Sequence, residues 1–472
     1  MLSRRDDPII AIATPPGRGA VGVVRVSGKD LKDFTLYLCQ RQLTPRLAQL
    51  LTLKDENSQH IDQVLALFFP APHSYTGEDV LELQGHGGPV VLQMLVQHCL
   101  DKANQLNTKG QANLPHLRLA APGEFTERAY LNQKMDLAQA EAVADLIDAN
   151  TRAAAVSASR SLEGVFSQKI NVFLTHMIEV RMQIEACLDF PEEDIEFIEQ
   201  LQIKHKIQQL QEQANNVLSD ALQGKLLRDG LKLVIAGQPN AGKSSLLNAL
   251  SGTETAIVTS IEGTTRDVLT ELIQIQGVPV HVLDTAGLRD LALADEVEKI
   301  GIERAWQQIQ QADVVILLND LSRSHHADFA DKQTRLSDDI KQRVRANTVV
   351  LNVDNKADVV SDLLHTDEGQ IQISAKTGLG LSRLQQAILK SAGWQSDRTQ
   401  DICSARERHL VSLQSMLNHL VAAAAILHQA KPGIDLLAEE CRLAQHDLSD
   451  ITGEFSTEDL LGEIFSRFCI GK

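Results

Sequence analysis

The first 130 residues alternate short β-rich runs with clusters of turn-forming residues. The runs are Val21 to Val26, Gln63 to Phe69 and Val80 to Leu83, and one helical stretch covers Val90 to Leu100. Short strands that alternate with turns and a helix are typical of a small α/β domain. We therefore predict such a domain from about residue 8 to 130.

From Leu137 to about Gly224 the turn signals nearly vanish. Apolar residues recur there at intervals of three and four, the spacing that gives a helix one continuous apolar seam. These residues are Phe166, Ile170, Phe173, Met177, Val180, Ile184 and Cys187. The same spacing returns near the C-terminus, at Leu410, Leu413, Leu417, Leu420, Ala424 and Leu427. The pattern predicts two helical blocks.

Between these blocks, from about residue 230 to 395, short apolar strands alternate with helices. The predicted strands are Leu231 to Ala236, Glu271 to Ile275, Val280 to Leu283, Val314 to Leu318, Val349 to Val353 and Ile371 to Ile373. Such alternation indicates a largely parallel sheet with helices on both faces. The economical model is one helical domain into which this α/β domain is inserted, and two separate helical domains are the alternative.

The predicted fold class is multidomain, α/β plus α-helical. The predicted boundaries are 1–133 for the N-terminal α/β domain, 134–229 for the first helical part, 230–395 for the central α/β domain and 396–472 for the second helical part. A length of 472 residues fits about three domains of roughly 150 residues each.

Composition narrows the class of protein. No apolar run approaches the roughly 20 residues that cross a bilayer, and Arg4 and Arg5 are followed by Asp6 and Asp7, which does not fit an export signal. The six cysteines form no C-x-x-C pair, which argues against disulfides and structural metal sites. We expect a cytoplasmic protein with no membrane contact.

The net charge of −17 limits how the protein can bind a nucleic acid. Because the surface as a whole repels polyanions, any nucleic acid must bind to a local basic patch or to a partner's surface.

Residues 237–244, GQPNAGKS, match the G-x-x-x-x-G-K-[ST] phosphate-binding loop between a strand and a helix. Glycines let backbone N–H groups face a phosphate, and the helix start adds a positive dipole end. Lys243 is expected to neutralise the β- and γ-phosphates, and Ser244 to ligate Mg²⁺. The predicted nucleotide contacts in this loop are Asn240, Ala241, Gly242, Lys243, Ser244 and Ser245.

Three more segments follow predicted strands in the order expected of a GTPase. They are Asp284, Thr285, Ala286 and Gly287; Asn355, Lys356, Ala357 and Asp358; and Ser374, Ala375 and Lys376. D-x-x-G alone is common at strand ends, but here its carboxylate can hold Mg²⁺ through water and Gly287 can face the γ-phosphate. Asp358 can accept two hydrogen bonds from guanine, whereas adenine lacks those donors. The four motifs together predict GTP as the nucleotide.

A switch loop is predicted between the first helix and the second strand of the central domain. Thr265 is the second hydroxyl expected on Mg²⁺, and it would sense the γ-phosphate. Leu288 follows the third motif where Ras-like enzymes place a water-orienting Gln. Either hydrolysis is slow, or another group orients water and another cation neutralises the transition state. Gly263 and Thr264 are further predicted nucleotide contacts in this loop, and the family resemblance that the flanking segments carry adds Thr259, Ser260, Ile261 and Glu262 to them.

These motifs, with Asn240 in the first loop and Leu288 after the third, resemble the Era-like GTPases. The flanking segments are more specific, and they resemble the MnmE (TrmE) family of tRNA-modification GTPases over essentially the whole chain. They are residues 13–28, ATPPGRGAVGVVRVSG; 74–88, SYTGEDVLELQGHGG; 122–129, PGEFTERA; and 469–472, CIGK.

The resemblance implies a homodimeric GTPase with a folate-binding, dimerising N-terminal domain and a Ras-like G domain. With the FAD-dependent partner MnmG, in a heterotetramer, such a protein adds an aminomethyl or carboxymethylaminomethyl group at C5 of the tRNA wobble uridine. The one-carbon donor is a 5-formyl- or methylene-tetrahydrofolate. FAD is expected on the partner only.

The resemblance also implies a folate site at Arg25, Glu82, Lys134 and Lys472. Arg or Lys can pair with glutamate-tail carboxylates, and Glu82 can accept from the pterin amino edge. Without the family, each of these residues would be interpreted as an ordinary surface charge. Cys469 corresponds to the family's tail cysteine, a candidate for chemistry near the folate. A prenylated cysteine or a buried small hydrophobe are its other interpretations.

The family further implies a K⁺ ion that compensates for Leu288. Its ligands would be the Asn240 amide oxygen and the loop from Thr259 to Thr264, through Thr259, Ile261 and Thr264. Glu298 would place the attacking water, with Glu296 as the alternative.

A competing hypothesis is a regulatory or ribosome-assembly GTPase without modification chemistry. It predicts a KH-like RNA module with a GXXG loop or a second G domain, and the sequence shows neither. A folate-binding scaffold alone would not account for the intact nucleotide motifs.

Overall fold

The computed structural model describes residues 6–188, 202–252, 270–284, 306–324, 326–359, 370–395, 402–429, 432–453 and 458–471. The chain divides into two compact units. The first is Met1–Ala144 with Ser449–Lys472, and the second is Asp145–Leu448. The last 24 residues of the chain therefore belong to the same unit as the N-terminal residues.

The first unit is built on a six-stranded sheet. Its strands are β1 (Ile9–Ile12), β2 (Val21–Gly28), β3 (Gln49–Lys54), β4 (His60–Phe69), β5 (Asp79–His86) and β6 (Arg118–Leu119). Their order is β3-β4-β5-β2-β1-β6, and the pairs are antiparallel except for β1 with β6. Helices α1 (Lys32–Cys39) and α2 (Pro89–Asn104) pack on one face, where Val24, Leu83 and Leu95 are buried. The predicted α/β domain is confirmed.

The opposite face of this sheet packs against α3 (Glu124–Leu131). Alternate residues of β1 point there, so Ile9 and Ala11 form a small buried cluster with Ala120 and Phe125. The helix α4 (Leu137–Ile147) follows.

The second unit begins with long helices. They are α5 (Arg152–Leu162), α6 (Val165–Leu188) and α7 (Ile203–Asp229). Every residue of the predicted seam in α6, from Phe166 to Cys187, is buried. The helix α7 ends at Gly230, whose φ of +71° suits only a residue without a Cβ. The next residue starts a strand, so helix and sheet are joined directly.

The central part is a second six-stranded sheet with helices. In chain order its elements are β7 (Leu231–Gly237), α8 (Lys243–Ser251), β8 (Thr270–Ile275), β9 (Val278–Asp284), β10 (Val314–Asp320), α9 (Ala327–Arg343), β11 (Val349–Asn355), β12 (Ile371–Gln372) and α10 (Leu381–Ser391). The strand order is β12-β11-β10-β7-β9-β8, with only the β8–β9 pair antiparallel. The prediction of a largely parallel sheet is confirmed. The C-terminal ends of β7, β10 and β11 meet at one edge.

The chain returns to helix in α11 (Glu407–Leu427) and α12 (Ile434–Thr452). α11 packs against α7, and Gln211 Nε2 donates a hydrogen bond to the Leu420 carbonyl at 3.0 Å. Helices from before and after the central sheet therefore pack together, as the model of an inserted α/β domain requires.

The helix α11 is the one described helix that is long and apolar enough to cross a membrane by length and composition. The expectation that no stretch reaches that length was wrong on this criterion. A core helix of a soluble protein passes the same test. Leu413, Met416 and Leu420 of α11 are fully buried against protein, so the helix is weak evidence for a membrane span.

The C-terminal segment completes the first unit. The helix α13 (Glu458–Ser466) places Phe465 in a buried cluster with Leu137 and Ala140. After it, the backbone N–H of Gly123 donates to the Cys469 carbonyl at 3.3 Å, and Ile470 forms a bridge with Pro122. The tail thus lies against the start of α3.

Candidate functional site

The predicted phosphate loop connects β7 to α8. Asn240 and Gly242 have φ values of +66° and +97°, and this left-handed backbone turns the chain into the first helical residue, Lys243. A Cβ on Gly242 would clash with the Asn355 side-chain amide, so only glycine fits. The loop therefore ends at a helix N-terminus, where backbone N–H groups and the helix dipole attract anions.

The cation of this loop is Lys243. Its Nζ donates to the Gly237 carbonyl at 2.9 Å and to the Gln238 carbonyl at 3.3 Å. These two hydrogen bonds hold the ammonium group against the loop. Ser244 and Ser245 follow in the first turn of α8 and are exposed. A lysine and an exposed hydroxyl stand side by side at the helix start, as phosphate and Mg²⁺ binding require.

Asn355 joins the first loop to the last one. Its Nδ2 donates to the Ala241 carbonyl at 2.9 Å, and its Oδ1 accepts from the backbone N–H of Ala375 at 3.0 Å. The side chain is buried, so both bonds hold the two loops in a fixed relation. Segments that lie 114 and 20 residues from Asn355 in sequence are thereby brought to one edge of the sheet.

Asp358 is the predicted guanine acceptor. It is exposed, and the hydroxyl of Ser374 donates to its Oδ1 at 2.6 Å. This hydrogen bond holds the pKa of the Asp358 carboxyl below its ordinary value. The carboxylate is therefore ionised at neutral pH, the state that accepts hydrogen bonds from two N–H donors.

Asp320 is a residue of this site that the sequence analysis missed. It ends β10, opposite Asn355 in the β10–β11 register, and its Oδ2 accepts from Lys356 Nζ at 2.6 Å. The carboxylate also accepts from the Ser322 hydroxyl and backbone N–H. Burial alone would raise the pKa of Asp320, but the bonds from Lys356 and Ser322 outweigh it and lower the pKa. The sequence signal was a carboxylate at the end of a buried parallel strand.

We expect Asp320→Asn to weaken GTP binding about tenfold, equivalent to about 1.4 kcal/mol. The substitution removes the charge that holds Lys356, whose φ of +67° already requires support from its surroundings. Titration with GTP at fixed Mg²⁺ would measure the change. Ser322→Ala is the matched control, because it removes a partner of Asp320 and leaves the ion pair with Lys356. Equal affinities for both variants would contradict the role of the pair.

In the first unit, the predicted folate residues Arg25 and Glu82 lie opposite each other on β2 and β5. Arg25 Nε and Nη2 lie 2.9 and 2.8 Å from the same oxygen, Glu82 Oε1. The guanidinium carbon also lies 5.6 Å from the centre of the Tyr75 ring and 5.7 Å from that of Phe125. Arg25 is thus held by one carboxylate and two aromatic rings, in a half-buried position.

The other described residues of that prediction lie in the same unit. Lys134 Nζ donates to the Pro72 carbonyl at 3.1 Å, and its side chain lies beside the loop at Gly77. Cys469 is exposed, while the other five cysteines are buried. The interpretation of Cys469 as a buried small hydrophobe was therefore wrong, because Cys469 and Ile470 are exposed between the buried residues Phe468 and Gly471.

Several predicted residues lie outside the described ranges, and their roles stay predictions. They are Thr259, Ser260, Ile261, Glu262, Gly263, Thr264, Thr265, Thr285, Ala286, Gly287, Leu288, Glu296, Glu298 and Lys472. Of Asp284, only its place at the end of β9 is described. Within the described ranges, no group of three or more His, Cys, Asp or Glu side chains is placed to hold a metal ion.

Comparison with known proteins independently supports the resemblance to the MnmE (TrmE) family. Residues 8–134 match the model of the GTP-binding protein TrmE N-terminus, and residues 137–469 match that of the MnmE helical domain. The chain is 55% identical over 481 residues to the tRNA modification GTPase MnmE of Polaromonas sp. (strain JS666 / ATCC BAA-500), with all of both chains covered. It is 55% identical over 476 residues to the protein of that name from Acidovorax sp. (strain JS42), again over both full lengths.

Among solved structures, Era from Aquifex aeolicus bound to GDP and AlF₄⁻ is 24% identical. That match covers 43% of this chain and 69% of the other, with a TM-score of 0.28. The two family models and the full-length relatives agree, and the chain belongs to the MnmE (TrmE) family.

Proposed function

We propose that the protein is the GTP-hydrolysing component of a tRNA wobble-uridine modification system. In this proposal it adds a (carboxymethyl)aminomethyl group at C5, with a tetrahydrofolate one-carbon donor and the partner MnmG. The observation that supports it best is that hydrogen bonds hold Asn355, Asp358 and Ser374, the residues predicted to select guanine, beside the phosphate loop. The relatives that match over their full length are named for tRNA modification, which gives the GTPase its context.

The described residues give the nucleotide site its chemistry. Lys243 would exchange its bonds to the Gly237 and Gln238 carbonyls for phosphate oxygens, a stronger, charge-assisted contact. Ser244 and, in the switch loop, Thr265 would hold Mg²⁺, which neutralises charge on the β- and γ-phosphates when bound. Glu298 would place water, and Asn240, Thr259, Ile261 and Thr264 would hold K⁺.

The surroundings of Arg25 fit a folate. Tetrahydrofolate combines a flat ring that carries an amino edge with a glutamate tail that carries carboxylates. Glu82 offers an acceptor for the amino edge, Arg25 a cation for carboxylates, and Tyr75 and Phe125 aromatic surface. Bound folate would supply the one-carbon unit, while Arg25, Glu82, Lys134 and Lys472 would bind and orient it. Cys469 would lie near this site.

The assembly and location belong to the proposal as well. They follow from membership in the family: a homodimer, a heterotetramer with MnmG, FAD on the partner only, and a cytoplasmic location. A tRNA that meets a chain of net charge −17 needs a local basic surface, either here or on the partner.

The decisive experiment is nucleoside analysis of tRNA from a deletion strain that carries the gene or an empty vector. We expect the modified wobble uridine to be lost without the gene and restored by it. An unchanged nucleoside profile in the deletion strain would overturn the proposal and favour a regulatory or ribosome-assembly GTPase.

We expect GTP hydrolysis to be at least tenfold faster in K⁺ than in Na⁺. Leu288 cannot orient water. A cation at Asn240 would neutralise charge in the transition state, as arginine fingers do in other enzymes, where they raise kcat roughly 10³–10⁵-fold. Asn240 is exposed in the loop, within reach of such an ion. Asn240→Ala should lose most of the stimulation and keep GTP affinity, whereas Asn347→Ala, an exposed control, should keep both. Equal wild-type turnover in the two salts would remove K⁺ from the mechanism.

A further inference from the structure

A polar cavity lies in the central domain, at the opposite end of the sheet from the nucleotide loops. It has a volume of about 370 Å³ and is lined by Gln307, Gln310, Gln311, Arg343, Val344 and Arg345. The glutamines belong to helical residues 306–311, which precede β10. Arg343 is the last residue of α9, and Arg345 lies in the loop between α9 and β11. The volume falls in the range of small-ligand sites.

The charge of this cavity is unlike that of the chain. The lining residues that the structure describes include two arginines and no carboxylate, in a protein whose net charge is −17. Asp339 lies one helical turn before Arg343, the usual spacing for an ion pair, yet among the described residues no carboxylate lies within 4 Å of either guanidinium. Both arginines are exposed. Their charges are thus available to an anion from outside.

One of the arginines is held in place. The Arg343 guanidinium carbon lies 4.2 Å from the centre of the Trp306 ring, which is a cation–π contact. Stacking on an indole restricts the side chain, so less rotamer entropy is lost when the guanidinium pairs with a phosphate. Beside it, three glutamine amides offer both donors and acceptors. Stacked arginine, an aromatic ring and amides are the groups with which proteins contact RNA strands.

We propose that this cavity binds a segment of the tRNA, with its phosphates on Arg343 and Arg345 and its sugar or base edges on the glutamine amides. The inference rests on the proposed function, and it supplies the local basic surface that the acidic chain needs. Arginines at a helix C-terminus also offset the helix dipole. That role alone predicts a change in stability and none in RNA affinity.

The test measures the affinity of the full-length protein for tRNA by fluorescence anisotropy at several salt concentrations. We expect Arg343→Gln/Arg345→Gln to weaken binding at least tenfold and to lower the slope of log affinity against log salt by about 1.5, since each phosphate contact contributes roughly 0.7–0.9. The control is Lys332→Gln/Arg335→Gln, which removes two exposed charges from the same helix outside the cavity. GTP turnover without tRNA should be unchanged in both.

A second measurement uses Trp306 as the reporter. In a Trp394→Phe background it is the single tryptophan of the chain, and tRNA should change its emission, whereas an acidic polypeptide such as polyglutamate should not. The inference is overturned if the two double variants bind tRNA equally, if polyglutamate changes the emission as tRNA does, or if wild type binds no tRNA. The nucleoside analysis does not depend on these results, so it decides the proposed function separately.

Discussion

Asp358→Asn is expected to lower the affinity for GTP by about 10²-fold or more and to shift preference toward xanthosine nucleotides. The carboxylate is exposed beside Ser374, where it can accept from both N–H donors of the guanine edge. An amide at this position presents a donor that suits the second carbonyl of xanthine and opposes the amino group of guanine. Equilibrium titration with GTP and xanthosine triphosphate, at fixed Mg²⁺ concentration, measures both affinities.

The control for this charge change is Asp313→Asn. Asp313 lies directly before β10, at the opposite end of the sheet from Asp358, and its carboxylate accepts from the backbone N–H of Lys232. It should leave the nucleotide preference unchanged. Because the pKa of Asp358 is lowered, protonation of this carboxyl should not weaken GTP binding between pH 5 and 8. Unchanged GTP affinity in Asp358→Asn would exclude this residue from the site.

Arg25→Ala, or deletion of Cys469 to Lys472, is expected to abolish tRNA modification while GTP hydrolysis continues at nearly the wild-type rate. Arg25 is the cation of the proposed folate site, and the tail lies against the start of α3, whose Phe125 ring contacts Arg25. The nucleotide loops belong to the other compact unit. Nucleoside analysis of tRNA from complemented strains and steady-state GTP turnover measure the two activities.

Two further variants separate a folate role from misfolding. Arg41→Ala removes an exposed arginine of the same unit and should leave modification intact. Gly471 has a φ of +97°, and a Cβ there would clash with the Ile12 carbonyl, so Gly471→Ala should displace the tail without shortening it. Direct titration of purified variants with 5-formyl-tetrahydrofolate should show lost binding for Arg25→Ala and the tail variants. Full modification by Arg25→Ala would count against the folate site.

Local patterns in the sequence were sufficient to predict the structure of a segment wherever that segment alone determines how it folds. The spacing of apolar residues identified α6 and α11 as helices, because a helix buries every third or fourth position whatever its partner is. The buried face of α6 is the predicted one, whereas in α11 Met416 and Ala423 are buried in place of the predicted Leu417 and Ala424. The phosphate loop was equally readable, since its glycines and lysine act within eight consecutive residues. Alternation of strands with helices likewise predicted the parallel sheet.

Tertiary structure decided the contacts between side chains that lie far apart in the chain. The ion pair between Asp320 and Lys356, and the bond from Asn355 to Ala241, exist because parallel strands end at one edge, and no local pattern marks these partners. The tertiary structure also decided that Cys469 is exposed and that Arg343 stacks on Trp306. The sequence by itself determined the long helices, the strands of the central sheet and the guanine nucleotide. Packing between distant segments depends on three-dimensional distance rather than on spacing along the chain, and it decided which side chains come into contact.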